Sequence, residues 1–217
     1  MKIKWIGHSC FLITSDKGVK VLTDPFTRTA DLTYARATES IDIVTVSHEH
    51  YDHNDVNAVV GRPVVLRGAA TKTLQDVVIR TLNVWHDEAK GKERGPNTLY
   101  CYNVSGVNIC HLGDLGHQLT SAEIKRLGHV DVLLIPVGGV FTIDADGAGL
   151  VYDDIKPRVA IPMHYKTDRC KWLTDTAVDF IKGRKQVRIL DSDEVEFTSS
   201  RLPAESEILV LKYSGQV

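Results

Sequence analysis

Ser47-His48-Glu49-His50-Tyr51-Asp52-His53-Asn54 decides how this chain is read. Five of these eight side chains are His, Asp or Glu, and the run just before them, Ile41-Asp42-Ile43-Val44-Thr45-Val46, is largely apolar and β-branched. Such a run predicts a buried strand, because residues branched at Cβ pack well on a pleated surface. The charged stretch then sits on a loop at the strand's C-terminal end, where a rigid scaffold presents functional groups to a cleft. The spacing His-x-His-x-Asp-His does not fit one helix face, whose neighbours fall three and four apart. On a turning loop His48 and His50 can grip one ion while Asp52 and His53 reach a second beside it. A merely solvated polar loop is the plain alternative. Four potential ligands within six residues are far denser than scattered surface histidines.

Outward from this loop the chain reads as strands first and helices later. Lys2 to Gly7, Cys10 to Thr14 and Val19 to Thr23 alternate or run apolar, with Lys17-Gly18 as a turn and Asp24-Pro25 as a stop. Thr27 to Ser40 is polar and without period, a loop with one helical turn at most. Asn54 can cap a short helix through Val60. Pro63–Leu66 and Asp76–Val84 read as strands, and Thr98–Val104 with Val107–Leu112 as a hairpin around Ser105-Gly106. Ser121–Leu127 is helical and Val132–Ile135 is a buried strand. Ala145–Ile155 reads as a helix despite its glycines, Val159–Ile161 as a strand leading to His164, and Leu173–Ile181 as an amphipathic helix. Three short strands, at Val187, Val195 and Ile208, close the chain. No Pro- or Ser-rich linker and no fixed repeat divides it, so residues 1–217 are expected to form one domain with two stacked sheets and helices outside.

Composition narrows the function classes. The chain has 217 residues, 43% hydrophobic and 25% charged, with a formal net charge of −2. That balance disfavours a general nucleic-acid binder, which carries a basic excess. Cys10, Cys101, Cys110 and Cys170 form no Cys-x-x-Cys pair. The apolar runs are too short to span a membrane, and Met1-Lys2-Ile3-Lys4-Trp5 is charged from its second residue. Cytoplasmic residence with reduced thiols is the resulting expectation.

Taken together, His48-x-His50-x-Asp52-His53, Gly7-His8-Ser9, Thr23-Asp24-Pro25-Phe26, His111-Leu112-Gly113-Asp114 and Ile161-Pro162-Met163-His164-Tyr165 resemble the metallo-β-lactamase superfamily. Within it they are similar to the small metal-dependent hydrolases related to ascorbate-phosphate lactonase. The resemblance runs from about Met1 to His164. It implies an αββα sandwich with metals at one edge between the sheets. It also implies a residue-by-residue ligand set, with His48, His50 and His86 on one ion, Asp52, His53 and His164 on another, and Asp114 bridging them. The cofactor is then two divalent metal ions. A nitrogen-rich set with hard oxygens suits zinc best and tolerates manganese, iron or nickel. A flavodiiron-type redox role is disfavoured, because that relative carries Glu where this chain has His50.

The implied reaction is hydrolysis. Two metals about 3.5–4 Å apart generate hydroxide from a shared water near neutral pH. The substrate is expected to be a small, anionic ester, lactone or phosphodiester, attacked by the hydroxide of the dinuclear centre. Asp52 and His8 are the candidate catalytic residues. His8 either lines the pocket and serves the leaving group or caps the tight Gly7 turn. His111 either braces the site or competes with Asp114 as a ligand, and Asp24 can orient a ligand histidine. Tyr165, Lys166 and Arg169 follow His164 and are candidates for binding the substrate's charge, with solvated surface charges as the alternative. Gly138 to Thr142 resembles a loop near the family's site. An RNA-processing nuclease of the same superfamily and a non-enzymatic metal-binding protein are the competing readings. The expected partner is a small molecule; nucleic acid and membrane are disfavoured, and a homo-oligomer stays open.

Overall fold

The computed structural model describes residues 1–69 and 71–216. The strands in chain order are β1 (Lys2–Gly7), β2 (Cys10–Thr14), β3 (Lys20–Thr23), β4 (Ile41–Val46), β5 (Gly61–Arg67), β6 (Thr71–Leu74), β7 (Val77–Trp85), β8 (Pro96–Val104), β9 (Val107–His111), β10 (Val132–Pro136), β11 (Val159–Met163), β12 (Val187–Ile189), β13 (Glu194–Glu196) and β14 (Glu207–Val210). The helices are α1 (Ser121–Leu127), α2 (Ala145–Ile155) and α3 (Ala177–Ile181). One sheet has the order β13-β1-β2-β3-β4-β5 and the other β12-β14-β11-β10-β9-β8-β7-β6.

Strand direction explains why distant motifs meet. β1 is antiparallel to β2, β2 to β3, and β3 is parallel to β4, so β1, β3 and β4 all end at the same edge of the first sheet. Those ends deliver His8, Asp24 and the His48 loop. In the second sheet β7 and β8, then β8 and β9, are antiparallel, whereas β9, β10 and β11 are parallel. β7, β9 and β11 therefore end together and deliver His86, Asp114 and His164.

Between the sheets lies a core of interdigitated side chains. Phe11 of β2 meets His111 of β9 edge-on, and Thr45 of β4 shares a 2.6 Å hydrogen bond with the Tyr102 hydroxyl of β8. The Tyr100 hydroxyl donates to the carbonyls of Val46 and Leu66, crossing from one sheet to the other. β10 and β11 are buried at every residue, as strands with parallel neighbours and covered faces must be. Each buried Leu, Ile or Val there contributes roughly 1.5–3 kcal/mol.

The two-sheet architecture agrees with the sandwich expected from the motifs. α1 packs on β7 and α3 on β11, outside the eight-stranded sheet. The outer layer of the six-stranded sheet is thinner. There Lys4 points to Glu39 of the loop before β4, and a small cavity between Ile6, Leu22 and Phe26 is closed by Ala37, Ala58 and Val59.

Several local expectations change. Asn54 caps no helix: only a single 3-10 turn, Val56–Ala58, follows, with Asp55 at its N-cap, and the Asn54 amide donates back to the Glu49 carbonyl and carboxylate. Helix α3 starts at Ala177 instead of Leu173. The amides of Thr174 and Asp175 are both spent on the Gly138 carbonyl, and the Asp179 carboxylate then accepts from the amide and hydroxyl of Thr176, fixing the start. β6 is exposed and carries no apolar alternation, so its sequence gives no sign of a strand. No helix among the described residues is long and apolar enough to cross a membrane.

Candidate metal centre

The ligand loop owes its shape to one buried carboxylate. Asp24, at the end of β3 with a positive φ of 37°, accepts from the Ser47 amide at 2.8 Å and the Ser47 hydroxyl at 2.6 Å. It also accepts from His53 Nδ1 at 2.9 Å. Because the Ser47 hydroxyl is spent on Asp24, its oxygen accepts from His48 Nδ1 at 2.9 Å. Asp24 thus sets the tautomer of two histidines, one directly and one through Ser47. On the other sheet His86 Nδ1 donates to the Phe141 carbonyl at 2.9 Å. In all three rings the Nδ1 proton is held by a neighbouring acceptor and Nε2 faces the site, the orientation of metal-ligating imidazoles.

Those Nε2 atoms converge on Asp114. Its Oδ2 lies 3.2 Å from His53, 3.3 Å from His86 and His164, and 3.7 Å from His48. Three donor groups overlap: His48, His50 and His86; His8, Asp52, His53 and His164; and His48, His53 and Asp114. All seven residues expected to hold metal are therefore brought to one place, with His8 added beside the second group. His8 follows Gly7 at a positive φ of 53°, and its Nε2 lies 3.2 Å from Asp52 Oδ2. His8 sits on the tight Gly7 turn with its buried ring against Asp52, and it is not among the residues that line the cavity over the donors.

The donor set fits divalent cations. Nε2 of His48, Nε2 of His53, both ring nitrogens of His164 and Oδ1 of Asp114 are buried without a hydrogen-bond partner, a costly condition for polar atoms that nothing satisfies. The electrostatics agree. Burial, then the neighbouring His53, push His48 down to about 3; burial, then His164, push His8 down to about 4. Both are neutral imidazoles at neutral pH, the form that ligates. Burial alone would raise the Asp114 carboxyl, but the His164 and His53 rings hold it well below the usual carboxylate range. Burial alone would lower His53, yet Asp114 and Asp52 raise it well above an ordinary histidine. The carboxylates draw positive charge to this point.

His111 is spent elsewhere. Its Nε2 donates to the Ser9 carbonyl at 2.8 Å and its Nδ1 accepts from the Gly113 amide at 3.1 Å. No lone pair is left for a cation, and the ring instead fixes the turns that carry His8 and Asp114. Glycine is needed where ligand-bearing backbone packs tightly: a Cβ on Gly138 would overlap the His164 carbonyl, and one on Gly116 that of His86.

A cavity of about 190 Å³ opens over the donors, floored by Asp52, His86, Asp114 and His164 and walled by Arg94, Phe141 and Trp172. Tyr165, Lys166 and Arg169 are not among its lining residues, which corrects the expectation drawn from their closeness to His164. After His164 the chain turns away. The Tyr165 ring packs on Trp5 with centroids 5.1 Å apart, Lys166 faces a separate cavity of about 480 Å³ beside Asp191 and Tyr213, and the exposed Arg169 lies 3.7 Å from Asp168. Arg94 and Trp172 were not singled out by sequence. Their only signals are a charged, Gly-bearing loop directly after His86 and a lone Trp in a polar stretch.

Known proteins resemble this chain in sequence and fold. A family profile described as "Beta-lactamase superfamily domain" matches residues 2–164. A UPF0173 protein of Pyrococcus furiosus is 33% identical over 184 residues, 77% of this chain and 84% of that protein. A UPF0173 metal-dependent hydrolase of Pelotomaculum thermopropionicum is 31% identical over 196 residues, 77% of this chain and 85% of its own. Among solved structures, a metallo-β-lactamase superfamily protein of Thermotoga maritima superposes with a TM-score of 0.80 at 32% identity, covering 98% of this chain and 99% of the other. With a family match over residues 2–164 and relatives 31% to 33% identical over 77% of its length, the chain belongs to the metallo-β-lactamase superfamily, among the UPF0173 metal-dependent hydrolases.

Proposed function

We propose that this protein hydrolyses a small, anionic ester, lactone or phosphodiester at a centre of two divalent ions, zinc being best suited to the donors. The observation that carries the reading is the convergence of unpartnered Nε2 atoms and the Asp114 carboxylate on one point under a small cavity. His48, His50 and His86 would hold one ion, Asp52, His53 and His164 the other, with Asp114 between them. Such a pair, when bound, polarises the scissile carbonyl or phosphoryl group and activates water.

The chain's own residues do the rest. Asp24 and Ser47 hold the rings of His48 and His53 in the ligating tautomer. His8 donates from Nε2 to Asp52 and so orients that carboxylate, a positioning role. Trp172, with its ring 5.8 Å from that of His164, shields the donors from bulk water. Glu88, Glu93 and Asp144 line the cleft beyond the cavity, which weighs against the nuclease alternative, since RNA would meet like charge there.

The test is metal analysis joined to turnover. Protein purified without chelator is expected to carry close to two ions per chain and to hydrolyse p-nitrophenyl esters or bis(p-nitrophenyl) phosphate. Activity should vanish on chelation and return with zinc or manganese. One ion at most after reloading, or cleavage of structured RNA with no turnover of small esters, would sink this reading.

A further inference from the structure

The loop after His86 is built around a second buried carboxylate. Asp87 Oδ1 accepts from the Gly91 amide at 2.8 Å, and its Oδ2 accepts from the amides of Glu93 at 3.1 Å and Arg94 at 2.7 Å. Asp87 spends its charge on backbone, folding residues 88–95 into a compact turn whose last member points back over the metal cavity. That member is Arg94. Its guanidinium carbon lies 3.0 Å from the centre of the Phe141 ring. Among the described residues no carboxylate or carbonyl accepts from its side chain, although a guanidinium offers five donors.

Phe141 is itself held in place at a cost. It has a positive φ of 65°, unusual for an aromatic residue and of order 1–3 kcal/mol in strain. The same residue's carbonyl fixes His86 while its ring, half-exposed, lies beneath Arg94. The strained backbone thus joins a metal ligand to a cation platform. Stacking on an aromatic face orients a guanidinium without using its N–H groups. A fixed guanidinium with free donors, on the wall of a cavity that already holds the reacting centre, is a receptor for an oxyanion.

We infer that Arg94, clamped by Phe141 and the Asp87-bound loop, binds a carboxylate or phosphate of the substrate remote from the bond that is cleaved. Only one such group is accommodated. The cleft of about 870 Å³ beyond Arg94 is lined by Glu88, Glu93 and Asp144, so a second anion on the substrate's outer end is repelled, whereas a neutral or cationic end is not. This inference rests on the hydrolase reading and adds to it the residue that selects the substrate and the number of charges it carries.

The test compares two esters with one leaving group and one acyl length: p-nitrophenyl butyrate, and p-nitrophenyl hemisuccinate with its remote carboxylate. Arg94→Ala is expected to lower the ratio of kcat/KM for hemisuccinate over butyrate roughly ten- to hundredfold, the effect of losing a charge-assisted, two-point contact. The loss should appear mainly in KM, and Arg94→Lys should restore only part of it. A calorimetric titration of metal-replete protein with succinate, and separately with inorganic phosphate, reads the same contact without turnover and tells which oxyanion is preferred. A wild-type ratio in Arg94→Ala, with unchanged succinate and phosphate affinity, would overturn the inference; so would an equal fall for both esters, the mark of a merely structural role. If the wild-type protein turned over neither ester nor bis(p-nitrophenyl) phosphate, the hydrolase reading would fail, and the titrations would still judge Arg94.

Discussion

Asp114→Asn is expected to abolish hydrolysis, by on the order of a thousandfold or more, and to strip the protein of most of its metal. Among the described residues Asp114 is the one carboxylate within 3.2–3.7 Å of four imidazole Nε2 atoms. Each of its two oxygens can face a separate cation; an amide offers one oxygen and turns an N–H₂ group on lone pairs that should meet metal. His111→Ala, three residues away, is expected to cost only about 10–100-fold. Its ring nitrogens are both occupied by backbone at Ser9 and Gly113, so its loss loosens turns without removing a ligand. Elemental analysis and kcat/KM on the two variants decide the matter. Equal metal loss in both would refute the assignment of Asp114 as a ligand and His111 as a brace.

The second large effect is expected at Asp24, a residue that touches no substrate. Its carboxyl is held below the ordinary range, since burial alone would raise it but the His53 hydrogen bond and the nearby His111 ring reverse the sign. Asp24→Ala leaves His53 Nδ1, the Ser47 amide and the hydrogen of the Ser47 hydroxyl buried without their acceptor, at a cost of about 3–5 kcal/mol to the fold. Asp24→Asn preserves the shape and changes the proton. A side-chain amide facing His53 Nδ1 favours the tautomer with the proton on Nε2, which removes the ligating lone pair. Metal affinity in Asp24→Asn should fall roughly 10–100-fold while the denaturation midpoint moves far less than in Asp24→Ala. Competition with a chromophoric chelator measures the affinity, and wild-type affinity in Asp24→Asn would refute the tautomer argument.

What could be read without coordinates was what repeats or clusters. The strand before His48 and the hairpin of β8 and β9 declare themselves through apolar β-branched runs and the Ser105-Gly106 turn. The donor loop declares itself by density. His86, Asp114 and His164 each terminate an apolar run, and parallel strand directions carry those ends to one edge. The misassigned residues share one cause. Lys166 and Arg169 are near His164 along the chain, but the chain reverses at Tyr165 because that ring is drawn into the core beside Trp5. Arg94 is remote from the motif in sequence and reaches the cavity only through the Asp87 turn, whose hydrogen bonds run to backbone amides and leave no mark in residue type. The supposed first turn of α3 is lost because the Gly138 carbonyl takes the amides of both Thr174 and Asp175, a tertiary contact that no local propensity reports.

The donors do not belong to one sheet. His48, His50, Asp52 and His53 follow strands of the six-stranded sheet, and His86, Asp114 and His164 follow strands of the eight-stranded one. A cation held by both sets is a cross-link across the seam along which the sandwich would open, joining positions as far apart in the chain as Asp52 and His164. Such a cross-link favours the native state by mass action, by about 4 kcal/mol when free metal is a thousandfold above its dissociation constant. For a chain of this length that is a rise in melting temperature on the order of 10 °C. It should also slow the rate at which the sheets part. Protein freed of metal by chelation is therefore expected to melt earlier and to be cut sooner by a protease, and an unchanged melt and digestion half-life would show that the seam holds without the ion.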